Sequence, residues 1–567
     1  MSSTTSSSET YRGLAVTLSS SSDGVLEKKM KLMNQTRPAE KLLAPGGNRF
    51  KLLSLCTVLS VATNFPEGYS NSYPNTSHQS FKDMINGTYA SRGKGSGLSD
   101  SAYTWYWSVV LNVWFIGYLF GTFVTPFFTD VMGRKKSLLI ANCIALLGAI
   151  LSFFGTYYAV PEVFIVSRLV SSLSSGISFG SLLLLLQETT PTEQRGVTSF
   201  LCESTFILTM GIGIGCGMDV VLGTNLPLLT GISIIPAVVA ILITLPLYES
   251  PKFLLINKED RKAALASLEF YRGECMENEL VLEEMMLEKE MEEDEDKNFQ
   301  YNVTILDHVV SMIQGIREVL TQGHLRIAYL LGSAALQIVV GIWPIMYLST
   351  EMLEVNFSAD VSQLSSLAFI LADFLASLFG MTIIERYGRR VLLLSLGVGN
   401  TASLCLYVAC DLLIPVWDPI RWGQIIALIL FGITYGIALG PIAFFISSEL
   451  TAQRSRSIVQ SMVFGTNTMI NFVFSLLTLP AYTTIGPLSF IPLFVVPSII
   501  SIVFLYFYLP ETRAKEVHEV VEELMARHNP RALSLKDKSS VSALSSIDLY
   551  AMDVDKKNSV MQLEIRA

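Results

Sequence analysis

The sequence predicts an all-α membrane protein with twelve transmembrane helices, arranged as two parallel six-helix repeats. Three observations carry that prediction: a shortage of charge, a series of membrane-length apolar windows, and a set of charged motifs that occurs twice. Of 567 residues, 50% are hydrophobic and 16% charged, and the mean hydropathy is +0.46. A water-soluble domain is about one quarter charged. A soluble enzyme is therefore excluded as the default.

A hydrocarbon core about 30 Å thick needs roughly 20 apolar residues of helix, because lipid offers backbone groups no hydrogen-bond partner. Windows of this kind lie near 51–74, 105–129, 137–159, 161–187, 197–222, 227–248, 326–350, 361–384, 391–414, 421–447, 457–482 and 486–509. They divide the chain into a Ser-rich tail (1–50), a first six-helix half (51–248), a charged linker (249–325), a second half (326–509) and a polar tail (510–567). The tail 1–50 has no apolar segment of the kind that forms a signal peptide.

The net charge of −9 comes largely from one run, with Glu288, Glu290, Glu292, Glu293, Asp294, Glu295 and Asp296 at its densest. Such a run reads as a solvated loop, and no nucleic-acid partner is implied. Six of the seven cysteines sit in or beside apolar windows and form no CxxC pair, so they read as small buried hydrophobes. The five histidines all fall outside the windows. An intramembrane metal site or histidine relay is not expected.

Lysine and arginine set the orientation. Arg134, Lys135, Lys136, Arg195, Arg386, Arg389, Arg390, Arg454 and Arg456 all fall in loops on one side of the membrane, and the opposite loops hold few. The positive-inside rule places those loops, both termini and the 249–325 linker in the cytosol, with the plasma membrane as the expected location. The sequons at Asn86 and Asn356 then face outward as candidate glycosylation sites. Those at Asn34 and Asn302 match equally well and would face the cytosol.

Asp130-Val-Met-Gly-Arg134-Lys135 after the second span recurs as Glu385-Arg-Tyr-Gly-Arg389-Arg390 after the eighth, 255 positions later. Glu188 and Arg195 recur as Glu449 and Arg456, each 261 later. Tyr248-Glu249-Ser250-Pro251 at the close of the sixth span answers Pro510-Glu511-Thr512 at the close of the twelfth. Matched sites at a nearly constant offset imply two halves in the same orientation around a midplane site.

On these motifs, together with Glu249-Ser250-Pro251-Lys252-Phe253-Leu254 and the order Trp107, Gly117, Gly121, Asp130, the chain resembles the major facilitator superfamily over roughly residues 50–520. Within it, the resemblance is to the sugar-porter branch that includes the facilitative hexose carriers. That implies the major facilitator fold and alternating access without a bound cofactor. It also supports reading Arg134, Glu188 and Arg195 with Arg389, Glu449 and Arg456 as a cytosolic gate, whose carboxylate–guanidinium pairs hold the two halves together and part when the site opens inward. The bland alternative is that they anchor loops and set topology.

Ionisable residues within the spans are site candidates because they are costly there. Arg168 matches the branch's span-four arginine, with Ser172 where a glycine is usual. Asp219 and Glu67 are expected near the outer end, within reach of water. The branch builds its sugar site from amides, which donate and accept hydrogen bonds. Matched by spacing, the candidate solute-binding residues here are Asn75, Glu203, Gln337, Trp343, Asp373, Phe444, Asn467 and Asn471. Glu203 and Asp373 stand where the branch has amides, Trp343 replaces an asparagine, and Phe444 replaces a tryptophan. The two acids allow three readings: proton coupling, attraction of a cationic or amine-bearing solute, or pairing within the bundle. The aromatic residues would stack on a sugar ring or simply pack, and the asparagines would bind solute or join helices.

Arg92-Gly-Lys94-Gly-Ser96 lacks the spacing of a phosphate loop, and no catalytic or dinucleotide motif appears. The expected function is secondary transport of a small polar solute, a hexose or related sugar, and no enzymatic activity. The alternative is a transporter-like sensor that binds solute with little or no flux; a channel comes third.

Overall fold

The computed structural model describes residues 47–513, apart from 95–96, 192–194, 274–277, 280, 284, 287–304, 385 and 452, together with 520–521 and 523–524. Among these, every regular element is helical. The spans in order are Gly47–Thr76, Asp100–Met132, Arg134–Tyr157, Pro161–Thr189, Arg195–Gly217 and a sixth in two pieces, Leu226–Gly231 and Ile234–Thr244. The second half follows with a seventh in two pieces (Gly323–Val339 and Ile342–Leu353), then Ala359–Ile383, Arg389–Leu413, a tenth from Trp422 to Glu449, Gln453–Ile485, and a twelfth ending in Val496–Tyr508. Short helices His78–Tyr89, Pro251–Ile256, Arg261–Arg272 and Ile305–Thr321 lie in segments where the sequence predicts no span.

Ten of the spans are long and apolar enough to cross a membrane. The first and fifth complete the twelve; the fifth is apolar over Leu201–Gly217, and the first is less apolar, for a physical reason. The first span buries Asn64, Glu67, Asn71 and Asn75, so its polar face is turned inward, and the fifth carries Glu203. Breaks in other spans have local causes. The seventh is interrupted at Val340–Gly341, and the tenth passes through a π-helical turn, Tyr435–Leu439, before Gly440-Pro441. A π turn widens the helix by one residue and commonly marks functional positions.

Small residues set the helix contacts within each half. A Cβ on Gly176 would lie 2.5 Å from the Tyr118 carbonyl and 2.7 Å from the Thr122 nitrogen, so the fourth span crosses the second backbone to backbone. Ser172 fills the usual glycine position and still packs against Gly117. The first and fifth spans meet in the same way, with Gly213 facing the Tyr69 carbonyl. Between the halves the seam runs along two lines. Gly211 of the fifth span faces Ile370 of the eighth (3.2 Å), and Gly465 of the eleventh faces Phe123 of the second (3.9 Å), both distances measured to a Cβ placed on the glycine.

Candidate functional site

At the basic end, the two halves carry the same socket. Arg134 binds Glu188 at 3.0 Å and donates to the Thr129 carbonyl at 3.2 Å. The Lys135 N–H donates to Glu249 at 2.8 Å, and the Ser250 hydroxyl donates to Glu188. In the second half, Arg389 faces Glu449 at 3.7 Å and donates to the Ile384 carbonyl at 3.2 Å. The Arg389 N–H donates to Glu511 at 2.8 Å, and Thr512 donates to Glu449 at 2.5 Å. Gly133 makes the turn possible, since its φ is +99° and a side chain there would strike Glu249.

This corrects one expectation. The described gate pairs close within a single half and do not bridge the two. The side chains of Arg195 and Arg456 lie outside the described residues.

The bridge is at the opposite end. Asn75 of the first span donates to Ser349 at 2.8 Å and accepts from the Thr350 N–H at 3.0 Å, both on the seventh. Gln363 of the eighth span donates to the Thr76 carbonyl (3.1 Å) and to Asp219 (2.9 Å), and accepts from the Asp219 N–H at 3.1 Å. His78 reaches Glu354 at 3.0 Å. Burial opposes a charge on His78, but the hydrogen bond to Glu354 and the nearby Glu351 carboxylate outweigh it and hold its pKa above the ordinary histidine value. The far end is thus sealed across the halves while the basic-end carboxylates turn back on their own halves. Asn75, expected to bind solute, is part of this seal. Asp219 is there too, as expected.

Glu67 is not at that end. It is 7% exposed and within electrostatic reach of Glu203 on the fifth span, which in turn reaches Asp373 on the eighth. Its place near the end of the first apolar window points to water, and only the packed bundle shows that this face of the helix turns inward. The Ser204 and Ser377 hydroxyls, 2.8 Å apart, fix the register of the fifth and eighth spans, and Ser377 lies one turn from Asp373. Asp373 is fully buried, and neither carboxylate oxygen has a hydrogen-bond partner. It packs against Gly436 in the π turn, where a Cβ would lie 2.5 Å from its Oδ1.

Among the described residues, no arginine neutralises these acids. Arg168 is 3% exposed and donates to backbone carbonyls, Val110 and Ser70 at 2.8 Å and Leu111 at 3.4 Å. It ties together the first, second and fourth spans. A cavity of about 10 Å³ beside it, lined by Ser70, Ser152, Ser167 and Trp114 among others, has room for a single water.

Trp343 stands in the seam. Its ring lies 5.9 Å from Trp114, 6.2 Å from Phe115 and Phe206, and 6.3 Å from Tyr347. Trp343, Phe206, Tyr118 and Glu203 are all only half-buried. Phe444 lies 5.9 Å from Phe464. Gln337 Nε2 and the side-chain oxygens of Asn467 and Asn471 are buried without hydrogen-bond partners. Of the sequon residues, Asn86 lies at the far end in helix His78–Tyr89, and Asn356 donates to Asp411 and Gln424, both at 3.1 Å.

The family model for sugar (and other) transporters matches residues 55–524. The chain belongs to that family. The transporter is 27% identical over 472 residues to the facilitated glucose transporter member 7 of Mus musculus, covering 82% of this chain and 88% of that one. It is 28% identical over 473 residues to facilitated glucose transporter member 3 of Ovis aries, covering 82% and 92%. In fold it is similar to the inward-open xylose transporter XylE of E. coli, with a TM-score of 0.64 at 14% identity over 84% of this chain and 99% of that one. The proton:xylose symporter form of XylE bound to 6-bromo-6-deoxy-D-glucose also gives 0.64, at 16% identity over 84% and 100%. The transporter is thus a member of the sugar-porter branch with the major facilitator fold.

Proposed function

We propose that this transporter carries a hexose or related sugar across a membrane by alternating access, with protons taken up by the seam carboxylates as the coupling ion. One observation carries the reading: the halves are joined by hydrogen bonds at the far end, while the basic-end charge sockets stay within their halves. A solute path between such halves opens toward the basic end. The excess of lysine and arginine there supports a cytosolic basic end and cytosolic termini, and the same reading places the transporter in the plasma membrane. Gln337, Asn467 and Asn471 offer hydroxyl-binding groups, and the carboxylates of half-buried Glu203 and buried Asp373 offer proton sites.

Counterflow of labelled D-glucose and D-xylose in proteoliposomes at two pH values tests this. Saturable exchange supports the reading, whereas binding without exchange would support the sensor alternative. Glu203→Gln should flatten the pH profile of uptake, and an unchanged profile removes Glu203 from the coupling.

A further inference from the structure

We infer that His78 is the proton-binding site of the far-end seal: one proton held between His78 and Glu354 fastens the two halves, so that acid on the far side slows opening toward that side. The inference goes beyond the transport reading, since it does not depend on which solute is carried.

The placement of His78 comes first. Helix His78–Tyr89 is fastened to the first half. Phe81 stacks on Phe164 at 4.8 Å and lies 5.6 Å from Trp107, and the Thr88 hydroxyl donates to the Ala159 carbonyl at 2.9 Å. His78 therefore travels with the first half. Glu354 directly follows Ile342–Leu353 of the seventh span and travels with the second half. Their 3.0 Å contact must break whenever the far end opens.

The hydrogen-bond partners then decide the proton. His78 Nδ1 lies 3.2 Å from the Asn75 carbonyl oxygen, which can only accept, so Nδ1 carries a hydrogen. Nε2 lies 3.0 Å from Glu354 Oε2. A neutral imidazole with its hydrogen on Nδ1 turns a lone pair toward that oxygen, and two acceptors then face each other at hydrogen-bond distance. A second proton, on Nε2 or on the carboxyl, resolves the conflict. Either position puts one proton between the halves. Asn75 also holds cross-half bonds to Ser349 at 2.8 Å and to the Thr350 N–H at 3.0 Å, so loss of the proton disturbs more of the seal than one pair.

The surrounding charge supports the same assignment. Glu351 and Glu354 face His78 from the seventh span. On its own helix Lys82 lies one turn along, over the Tyr103 ring of the second span at 5.2 Å, with Asp83 beside it. Arg92 and Glu162, at the other end of that helix, pair with each other at 2.6 Å. When the halves part, His78 keeps Lys82 and loses both glutamates, and its proton affinity falls toward the ordinary histidine value. The closed seal thus binds the proton more tightly than the open one, and by linkage far-side protons favour closure. The effect is full below the ordinary histidine value and is lost as pH rises through the raised one.

The test is the initial rate of D-glucose uptake from the far side into proteoliposomes of known sidedness, with far-side pH stepped from about 6 to about 8 and the basic-side pH held. Dividing the wild-type rate by that of His78→Gln cancels any proton coupling the two share. The ratio should rise several-fold with pH, with a ceiling of about tenfold for each unit by which closure raises the proton affinity of His78. A constant ratio would overturn the proposal. Glu354→Gln offers Nε2 either an acceptor or a donor, so it should lose the pH dependence as well; if it keeps the full dependence, the proton sits elsewhere and the proposal falls. Deuterium exchange at the histidine C2–H, read by mass spectrometry, follows His78 in the intact protein without any flux. It should show a pKa above the ordinary histidine value that drops in Glu354→Gln, and equal values in the two proteins would also overturn the assignment. If the wild type moves no sugar, the transport reading fails by itself and this titration decides the proton site.

Discussion

At the scale of the residue, the two basic-end sockets use matching residues but differ in how closely the ion pair is bonded and in burial. The Arg134 and Glu188 side chains are 12% and 11% exposed and 3.0 Å apart, whereas Arg389 and Glu449 are 23% and 28% exposed and 3.7 Å apart. Removing one member of a well-buried pair leaves an uncompensated charge and costs about 3–5 kcal/mol, while a more exposed pair contributes at most about 1 kcal/mol. Arg134→Ala should therefore lower the melting temperature in detergent clearly more than Arg389→Ala. Equal losses would show that the sockets are energetically equivalent. Both arginines are legible in the sequence, since charged motifs at a fixed offset stand out against apolar spans. Glu203 and Asp373 are legible through spacing from those motifs. The inward place of Glu67 is not, because nothing in the local sequence says which way a helix face turns. Gln363 escapes the motif spacing altogether, although a lone glutamine in an apolar window is itself a signal.

At the scale of the element, the apolar windows locate every span but not where each bends. The seventh breaks beside Gly341, and the tenth loosens into a π turn at Tyr435–Leu439. Neither follows from apolar content alone. The first span looks like an ordinary window in the sequence, yet it buries Asn64, Glu67, Asn71 and Asn75. Its polarity marks a face turned into the bundle, because a polar face is tolerable in a membrane only when it turns inward. Crossings that depend on missing side chains make sharper predictions. Gly121 meets the Leu173 carbonyl and the Gly176 Cα, the latter 3.0 Å from where a Cβ would stand. Gly121→Val should cost about 1–3 kcal/mol by overpacking, read as a lower melting temperature, and Gly465→Ala at the looser seam should cost little.

At the scale of the whole molecule, the far-end seal is made of hydrogen bonds that join the two halves. Its members, Asn75, Asp219, Gln363, His78 and Glu354, come from both halves. Such pairings over long stretches of sequence cannot be read from a single chain (Gln363 to Thr76 spans 287). Gln363→Ala should shift the protein toward the state open at the far end. In a background lacking native cysteines, a cysteine at Ile370 should then react several-fold faster with an impermeant thiol reagent from that side. Unchanged reactivity would show that Gln363 does not hold the seal. The His78–Glu354 contact adds a pH dependence to the same assay. Because its pKa is raised, His78 is charged and paired at low pH, and the contribution is lost as pH rises through that raised value. Reactivity should therefore climb with pH, and His78→Gln should abolish the climb.

The matched sockets also govern where the chain can be interrupted. Glu249 and Ser250 lock back into the first half, and Glu511 and Thr512 lock into the second. Each half thus keeps its own keystone, and the stretch between Arg272 and Ile305 joins the two halves along the chain. A gene divided there should yield two polypeptides that find each other in the membrane and restore solute exchange when made together. A division between Thr244 and Glu249, which strands the first keystone on the wrong fragment, should not.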